Sequence, residues 1–151
     1  MIEVKLTSWE LMMGAMAGVM RQVENCKKGR RPAHGSGDSN DWQLHVEGAL
    51  GELALAKAFG LYWSGKGIFR GPDVAGWQVR TRSKHHYDLI LHETDPDDLV
   101  YWLVTGLNGA YRIHGHVVGS EGKRSEYWAD PAGGRPAYFV PQKALSDEPP
   151  D

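Results

Sequence analysis

Apolar residues in the first third of the chain recur at the three- and four-residue spacing of an α-helix. Thr7 or Ser8 precedes this pattern as a helix cap, and Glu10 suits the first turn. The pattern predicts an N-terminal helix over about residues 8–28. Its apolar stripe consists of Trp9, Met12, Met13, Met16, Val19, Met20 and Val23. We expect this stripe to pack into the core. A partner surface is the alternative, because methionine packs adaptably.

A second helix is predicted over residues 41–59, with Asn40 or Ser39 as its cap and Gly60 at its end. Its many glycines and alanines give it a thin outline that fits flat against a sheet. The stretch 29–40 before it is rich in glycine, serine and asparagine, which is typical of a loop. We expect this loop to be a solvated connection. The alternative is a flap whose two arginines cover bound nucleic acid.

Glu52 falls in the middle of the small, apolar surface of this second helix. A carboxylate buried there requires a partner, because an unpaired buried charge is very costly, and a metal ion or an arginine would serve. Glu47 lies five residues earlier and about 140° round the helix, so the two acids do not share a face. We expect only one of them to reach a site, and we prefer Glu52. For either acid, the alternative is a surface ion pair with a lysine.

After residue 60 the pattern changes to short apolar runs separated by glycine, proline and aspartate, which favours β-strands. The run 100–105 is nearly all apolar and predicts a central buried strand. The run 110–119 predicts its hairpin partner, with a bulge at Gly115. Further strands are predicted at 1–7, 61–69, from 73 onwards, 77–83, 88–92 and 137–140. The predicted fold class is therefore α/β (α+β), with a central mixed β-sheet flanked by helices.

The length of 151 residues fits a single domain. We place its core at about 41–140, with the N-terminal helix added to it and a frayed tail at 146–151. We expect most of the six tryptophans to pack in the core and on the sheet. Stacking on nucleic-acid bases is the alternative use of these rings.

The formal net charge of −2 shows no large basic field of the kind that marks many nucleic-acid binders. Basic clusters at 27–31 and 80–84 could still follow a phosphate backbone. The single cysteine, Cys26, excludes an internal disulfide and fits a reducing cytoplasm. No run of about 18 apolar residues is present, so no membrane span is expected. The N-terminus lacks the features of a signal peptide, and we expect a cytoplasmic protein.

Around Asp73 the sequence places an acid, a turn and a polar strand in succession. On that strand Gln78, Arg80 and Arg82 point to one side, so Gln78 and Arg80 would project beside Asp73. Carboxylates that hold a hard cation, next to a cationic side chain, are the set that metal-dependent phosphodiester chemistry needs. The alternative is an ordinary strand with one face in solvent.

Other chemistries have weaker support. Histidines at 85–86, and at 114 and 116, form two pairs, but two ligands do not make a zinc site, so we do not expect zinc. The acidic cluster 95–98 lacks EF-hand spacing and predicts a solvated turn. Cys26 has no histidine near it in sequence to activate it as a nucleophile. The sequence contains no Walker loop, dinucleotide-binding glycine motif or nucleophile elbow.

A helix with Glu52, then Pro72 and Asp73, a turn, and Gln-Val-Arg at 78–80 on a strand resembles the PD-(D/E)xK nuclease superfamily. That superfamily includes restriction endonucleases and Holliday-junction resolvases. The resemblance covers about residues 41–105, and the end of the chain is similar to small phage proteins. It implies a restriction-endonuclease-like core and a metal-dependent nuclease, encoded by a phage and acting in the host cytoplasm.

The resemblance also implies a role for each motif residue. The implied ligands of a Mg²⁺ or Mn²⁺ ion are Glu52, Asp73, Gln78 and the Val79 carbonyl. The implied catalytic residues are Glu52, Asp73, Gln78 and Arg80. In these roles Gln78 would orient water, and Arg80 would stabilise the charge on the phosphorus. In this interpretation Arg82 and Lys84 would bind flanking phosphates, and Arg30 and Arg31 of the loop are further candidates for binding nucleic acid. The expected substrate is nucleic acid, with DNA favoured over RNA.

Two positions depart from the family's motif. Gln78 replaces an acid and removes one negative ligand, although an amide oxygen can still coordinate a metal. Arg80 replaces a lysine and keeps the charge, but not the shape or the proton chemistry. A second interpretation is therefore an inactive protein of the same fold that binds nucleic acid or a protein, with Glu52 and Arg80 as a structural ion pair. A third is a structural or regulatory phage protein that assembles through its methionine and tryptophan surfaces. A homodimer is also left open.

Overall fold

The computed structural model of the protein describes residues 1–29, 40–66 and 72–150. The helices are α1 (Ser8–Lys27), α2 (Asp41–Phe59) and the single turn α3 (Gly119–Gly122). The strands are β1 (Ile2–Lys5), β2 (Gln78–Arg82), β3 (Leu89–Leu91), β4 (Val100–Leu107), β5 (Ala110–Val118), β6 (Trp128–Ala129) and β7 (Ala137–Val140). Short 3₁₀ turns are present at Ser125–Tyr127 and Gln142–Ala144.

The strands form two sheets. A mixed sheet has the order β1-β5-β4-β2, in which β2 runs parallel to β4 and the other neighbours are antiparallel. A second, antiparallel sheet has the order β3-β7-β6. The predicted α+β class with a mixed sheet is confirmed. The hairpin β4–β5 is confirmed as well, and its register shifts between Leu103 and Val104, opposite Gly115. Gly115 has a φ of +144°, which explains glycine at this bulge.

Two layers cover opposite faces of the mixed sheet. On one face lies α2, whose residues from Ala49 to Ala56 are all buried. Gly51 permits this approach, because a Cβ there would lie 1.9 Å from the Thr81 hydroxyl oxygen. On the other face the second sheet buries Leu89, Leu91 and Val140 against Tyr101, Leu103 and Val117 of the mixed sheet. The long helices therefore lie on one side of the sheet, in the order sheet, α2, α1.

Local signals fix the helix ends as predicted. Thr7 caps α1, and its side chain and that of Glu10 bond each other's backbone N–H groups in a capping box. Asn40 caps α2 through the Trp42 N–H. Gly60 ends α2 with a φ of +64°, a left-handed conformation that favours glycine.

The prediction that the methionine-rich stripe of α1 packs into the core is wrong. The buried residues of α1 are Gly14, Gly18 and Gln22, and the stripe faces outward. A Cβ on Gly18 would lie 2.5 Å from the Val46 Cα, so small residues bring α1 close to α2. Because the small residues of α1 pack tightly against α2, the bulky residues on the other side of α1 cannot contact α2.

Some strand and tail predictions are also wrong. Residues 61–66 of the predicted strand 61–69 are irregular, and the rest of it lies outside the described residues. Asp73 does not begin a strand, because it precedes a tight turn closed by a bridge between Val74 and Trp77. Ser146, placed in the frayed tail, instead pairs with His116 through two backbone hydrogen bonds of 2.7 and 2.9 Å.

The tryptophans divide between core and surface. Trp102 is fully buried, and its ring lies 5.5 Å from that of Trp77. By contrast Trp9, Trp42 and Trp128 are exposed. The expectation of core packing therefore holds for only part of the set.

Candidate functional site

A cleft with a volume of about 1160 Å³ opens between α1, α2, the segment 61–66 and the start of β2. It is lined in part by the residues that the motif singled out, namely Glu52, Asp73, Gln78, Val79 and Arg80. They come from three separate places in the chain, namely the middle of α2, the loop before β2, and β2 itself. The structure thus brings the whole predicted set to one surface.

Glu52 is 6% exposed, and its carboxylate is held by an arginine from the neighbouring helix. The Arg21 guanidinium donates to both carboxylate oxygens, at 2.8 Å to Oε1 and 2.7 Å to Oε2. The Trp63 indole N–H adds a third bond at 3.1 Å to Oε2. This bidentate geometry is the strong form of an arginine–carboxylate pair. The expectation that Glu52 needs a partner is confirmed, and the partner in this structure is Arg21.

Sequence analysis did not single out Arg21, although one signal was present. Arg21 is the only charged residue between Glu10 and Glu24 on α1. It lies on the side of α1 that faces α2, away from the methionine stripe. This lone charge was a signal, but pairing it with Glu52 also required knowing which face of α1 packs against α2.

Asp73 is positioned by the turn that follows it. Its Oδ2 accepts a hydrogen bond of 2.7 Å from the Val79 N–H, and its own N–H donates to the Trp77 carbonyl at 2.8 Å. Burial, followed by the nearby negative charge of Glu52, raises the pKa of the Asp73 carboxyl to about 7. Glu52 and Asp73 therefore repel each other electrostatically in the cleft.

Arg80 lines the cleft, but the contacts of its guanidinium lie on the other face of the sheet. Its guanidinium donates to Asp95 Oδ1 at 2.8 Å and lies over the Tyr101 ring, 5.3 Å from the centroid. The proposed structural pair between Glu52 and Arg80 is therefore wrong. Asp95 also accepts from the His92 N–H at 2.8 Å, so this acid is held within the predicted turn at 95–98, whose other acids, Asp97 and Asp98, are exposed.

Two of the residues assigned to flanking phosphates, Arg82 and Lys84, do not line the cleft. Arg82 donates to the Asp88 carbonyl at 2.9 Å and lies 4.2 Å from the centroid of the Tyr87 ring. Lys84 lies over the same ring at 5.7 Å. These cations form a separate surface around Tyr87. Arg30 and Arg31 lie outside the described residues.

Glu47 is not part of the cleft, and this supports the preference for Glu52. The Tyr111 hydroxyl donates to Glu47 Oε2 at 2.6 Å, and the Asn108 N–H donates to Oε1 at 3.4 Å. Glu47 therefore fixes the β4–β5 turn against α2. The two acids face different neighbours, as their angular separation on the helix requires.

The histidines 85, 114 and 116 are distributed over two environments. His85 Nδ1 and His114 Nε2 both bond the buried Thr105 hydroxyl, at 2.8 and 2.7 Å. His116 instead packs on the Trp102 ring, 4.7 Å between centroids. Within residues 1–29, 40–66 and 72–150, no three His, Cys, Asp or Glu side chains form a group that could hold a metal ion. A metal in the cleft would therefore depend on amide, carbonyl or water oxygens in addition to its carboxylates.

No protein-family model matches the chain, and no curated protein or solved structure is significantly similar to it. None of the helices in the described ranges is both long enough and apolar enough to span a membrane.

Proposed function

We propose that the cleft is the active site of a metal-dependent phosphodiesterase that acts on nucleic acid, DNA more readily than RNA. The observation that carries this proposal is the convergence of Glu52, Asp73 and the polar start of β2 on one open surface. Three segments that are distant in sequence supply these residues. Glu52 is held by Arg21, Asp73 by the Val79 N–H, and Arg80 by Asp95. The raised pKa of Asp73 adds support, because shifted carboxyls concentrate at functional sites.

The donor set suits a hard cation. Asp73, the Gln78 amide and the Val79 carbonyl offer oxygen atoms, and Mg²⁺ commonly binds through one or two carboxylates together with water and substrate phosphate. Glu52 would join as a ligand only when Arg21 releases at least one of its oxygens. An ion bound in this set would acidify a water molecule and screen the charge of the phosphate.

The residues of the chain itself would hold the substrate. The Nε atoms of Arg21 and Arg80 are buried and have no hydrogen-bond partner in the described part of the chain. Both arginines line the cleft, so a bound phosphodiester would meet their guanidinium charge, and the enclosed Nε–H groups would reach its oxygens only after the side chains move. Lys28 and Lys66 also line it and would attract the nucleic-acid backbone. Gln78 would orient the attacking water, and Arg80 would stabilise the negative charge that develops on the phosphorus.

The test begins with calorimetry of Mn²⁺ binding to the wild type and to Asp73→Ala. We expect binding in the wild type and its loss in the variant. Asp98→Ala, which removes an exposed acid outside the cleft lining, serves as the matched control and should bind like the wild type. Double-stranded DNA, single-stranded DNA and RNA are then offered with Mg²⁺ or Mn²⁺. Equal cleavage by wild type and Asp73→Ala would contradict the proposal.

A second candidate function is favoured by one observation. Because Arg21 already neutralises both oxygens of Glu52, the cleft can be stable without a metal, as in a non-catalytic protein that binds nucleic acid. That function predicts DNA binding that is unchanged by chelators and no cleavage. Fluorescence anisotropy of labelled DNA, with and without chelator, distinguishes the two functions. Loss of binding on chelation would exclude the second.

A further inference from the structure

The outward face of α1 is apolar, and apart from Met13 and Met20 it lies outside the lining of the proposed site. Trp9 is 80% exposed, and Met12, Met16 and Met20 are 56%, 63% and 56% exposed. Met13 and Val19 extend the same surface. Side chains of this size are normally buried, and a contiguous exposed patch of them marks an interaction surface.

The spacing of this surface selects the kind of partner. Trp9, Met12, Met16, Val19 and Val23 follow one another in steps of three, four, three and four. This is the seam of a helix that packs lengthwise against another helix. Between Glu10 and Arg21 the helix carries no charge, and Arg21 points inward to Glu52. The seam therefore offers an uncharged stripe about three turns long.

We infer that this surface, the α1 seam, binds the α1 seam of a second copy of the chain in an antiparallel pair centred on Met16. The six exposed residues of this face offer at most roughly 700 Å² per copy for burial, close to the ~800 Å² per partner of a standard stable interface. A two-fold axis through Met16 would place Trp9 of each copy beside Val23 of the other. The same axis would place Met12 beside Met20, Met13 beside Val19, and Met16 beside Met16 of the second copy.

Charge at the helix ends favours the antiparallel direction. Lys27 and Lys28 end α1 and are exposed, so a parallel pair would bring four lysines together at one end. An antiparallel pair separates them and also aligns the helix dipoles in opposite directions. The pair would border the cleft, because Met13 and Met20 line the cleft as well as extending the seam.

The mass of the full chain in solution tests the pair, measured by light scattering over a micromolar concentration series. We expect the wild type to have twice the mass of one chain. Met16→Glu places a charge at the centre of the seam and should give the mass of one chain with an unchanged circular dichroism spectrum. Trp128→Glu charges an exposed aromatic residue in the second sheet and should remain dimeric. A monomeric wild type, or a dimeric Met16→Glu, would overturn the inference.

The native cysteine tests the direction. Cys26 is exposed and continues the three-four spacing at the end of the seam. In an antiparallel pair the two Cys26 residues lie at opposite ends, so oxidation should not join the wild-type chains. Met16→Cys in a Cys26→Ser background places both thiols at the centre and should cross-link. A wild-type dimer joined through Cys26 would overturn the antiparallel arrangement.

Discussion

One face of α1 is buried and the other is exposed, and the apolar pattern of the sequence predicts the wrong face to be buried. The inner face is built from Gly14, Gly18 and Gln22 and carries Arg21 into the cleft. The outer face carries nearly all of the bulky apolar side chains and is exposed. Hydrophobicity alone thus does not identify the face of α1 that packs within the chain. The small residues of α1 mark the face that α2 of the same chain can approach closely. The following predictions test this contrast in order of decreasing effect.

The largest effect is expected on the inner face at Arg21. Arg21→Met removes the partner of a carboxylate that is 6% exposed, and breaking such a pair typically costs about 3–5 kcal/mol. We therefore expect a strong loss of unfolding free energy in chelator, measured by urea denaturation. If the phosphodiesterase proposal is correct, Mn²⁺ should restore part of the loss by replacing the guanidinium charge.

A surface pair provides the control for Arg21→Met. Lys57 donates to Glu10 at 2.9 Å, but it is exposed, so Lys57→Met should cost less than about 1 kcal/mol. If Arg21→Met unfolded at the same urea concentration as Lys57→Met, the pair with Glu52 would not be a structural element of the inner face.

The close approach of α1 to α2 is tested at Gly18. Gly18→Ala adds a Cβ at 2.5 Å from the Val46 Cα and 2.6 Å from the His45 carbonyl oxygen, so the two backbones must separate. We expect a loss of about 2–3 kcal/mol, measured by thermal or urea unfolding. Gly48→Ala on α2 has no atom within 4 Å of its Cβ and should instead stabilise by about 0.5–1 kcal/mol. Equal effects would contradict the packing.

A smaller and pH-dependent effect is expected at Asp73. Because folding raises the pKa of this carboxyl from its ordinary value to about 7, the folded protein binds the proton more tightly. The contribution of Asp73 to stability is thus largest in acid and decreases as the pH rises towards 7. Asp73→Asn should stabilise the metal-free protein by roughly 2 kcal/mol at pH 8 and by less at pH 5. Melting temperatures at the two pH values check this, and an equal shift at both would contradict it.

The smallest effect is expected on the outer face. Met16→Ser changes a side chain that is 63% exposed, so the free energy of unfolding should change by less than about 0.5 kcal/mol under conditions where the chain is monomeric. Leu53→Ala, in the buried core, should cost about 2–5 kcal/mol by comparison. Similar losses for the two variants would mean that the seam of α1 is packed within its own chain.

Much of the fold could be predicted because its signals are local. Caps at Thr7 and Asn40, the stop at Gly60 and the continuous apolar run of β4 each act within a few residues. The arrangement of layers could not be predicted in the same way. Which face of α1 is buried depends on how closely the helix approaches α2. Gly18 permits this approach through its contact with the α2 backbone, which lies nearly 30 positions later in the sequence.

The candidate site was predictable in its members but not in its contacts. The acid–turn–strand pattern located Asp73 and Gln78, and burial required a partner for Glu52. The identity of that partner depends on how α1 crosses α2, and the spacing of residues in the sequence does not determine this crossing. For the same reason Arg80 was wrongly predicted to pair with Glu52. Arg80 lies on the edge strand β2, on the side where its guanidinium pairs with Asp95.

The pairing of β1 with β5 has a consequence for the order in which the protein folds. Ile2 pairs with Ile113, so β1 gains its neighbour in the sheet only after the long stretch of chain between them has been synthesised. The contact of α1 with α2 requires only residues 8–59 and can form much earlier. Helix docking should therefore precede closure of the sheet, because contacts of short sequence separation form first. Until then the nascent chain carries an unpaired strand that other chains could capture.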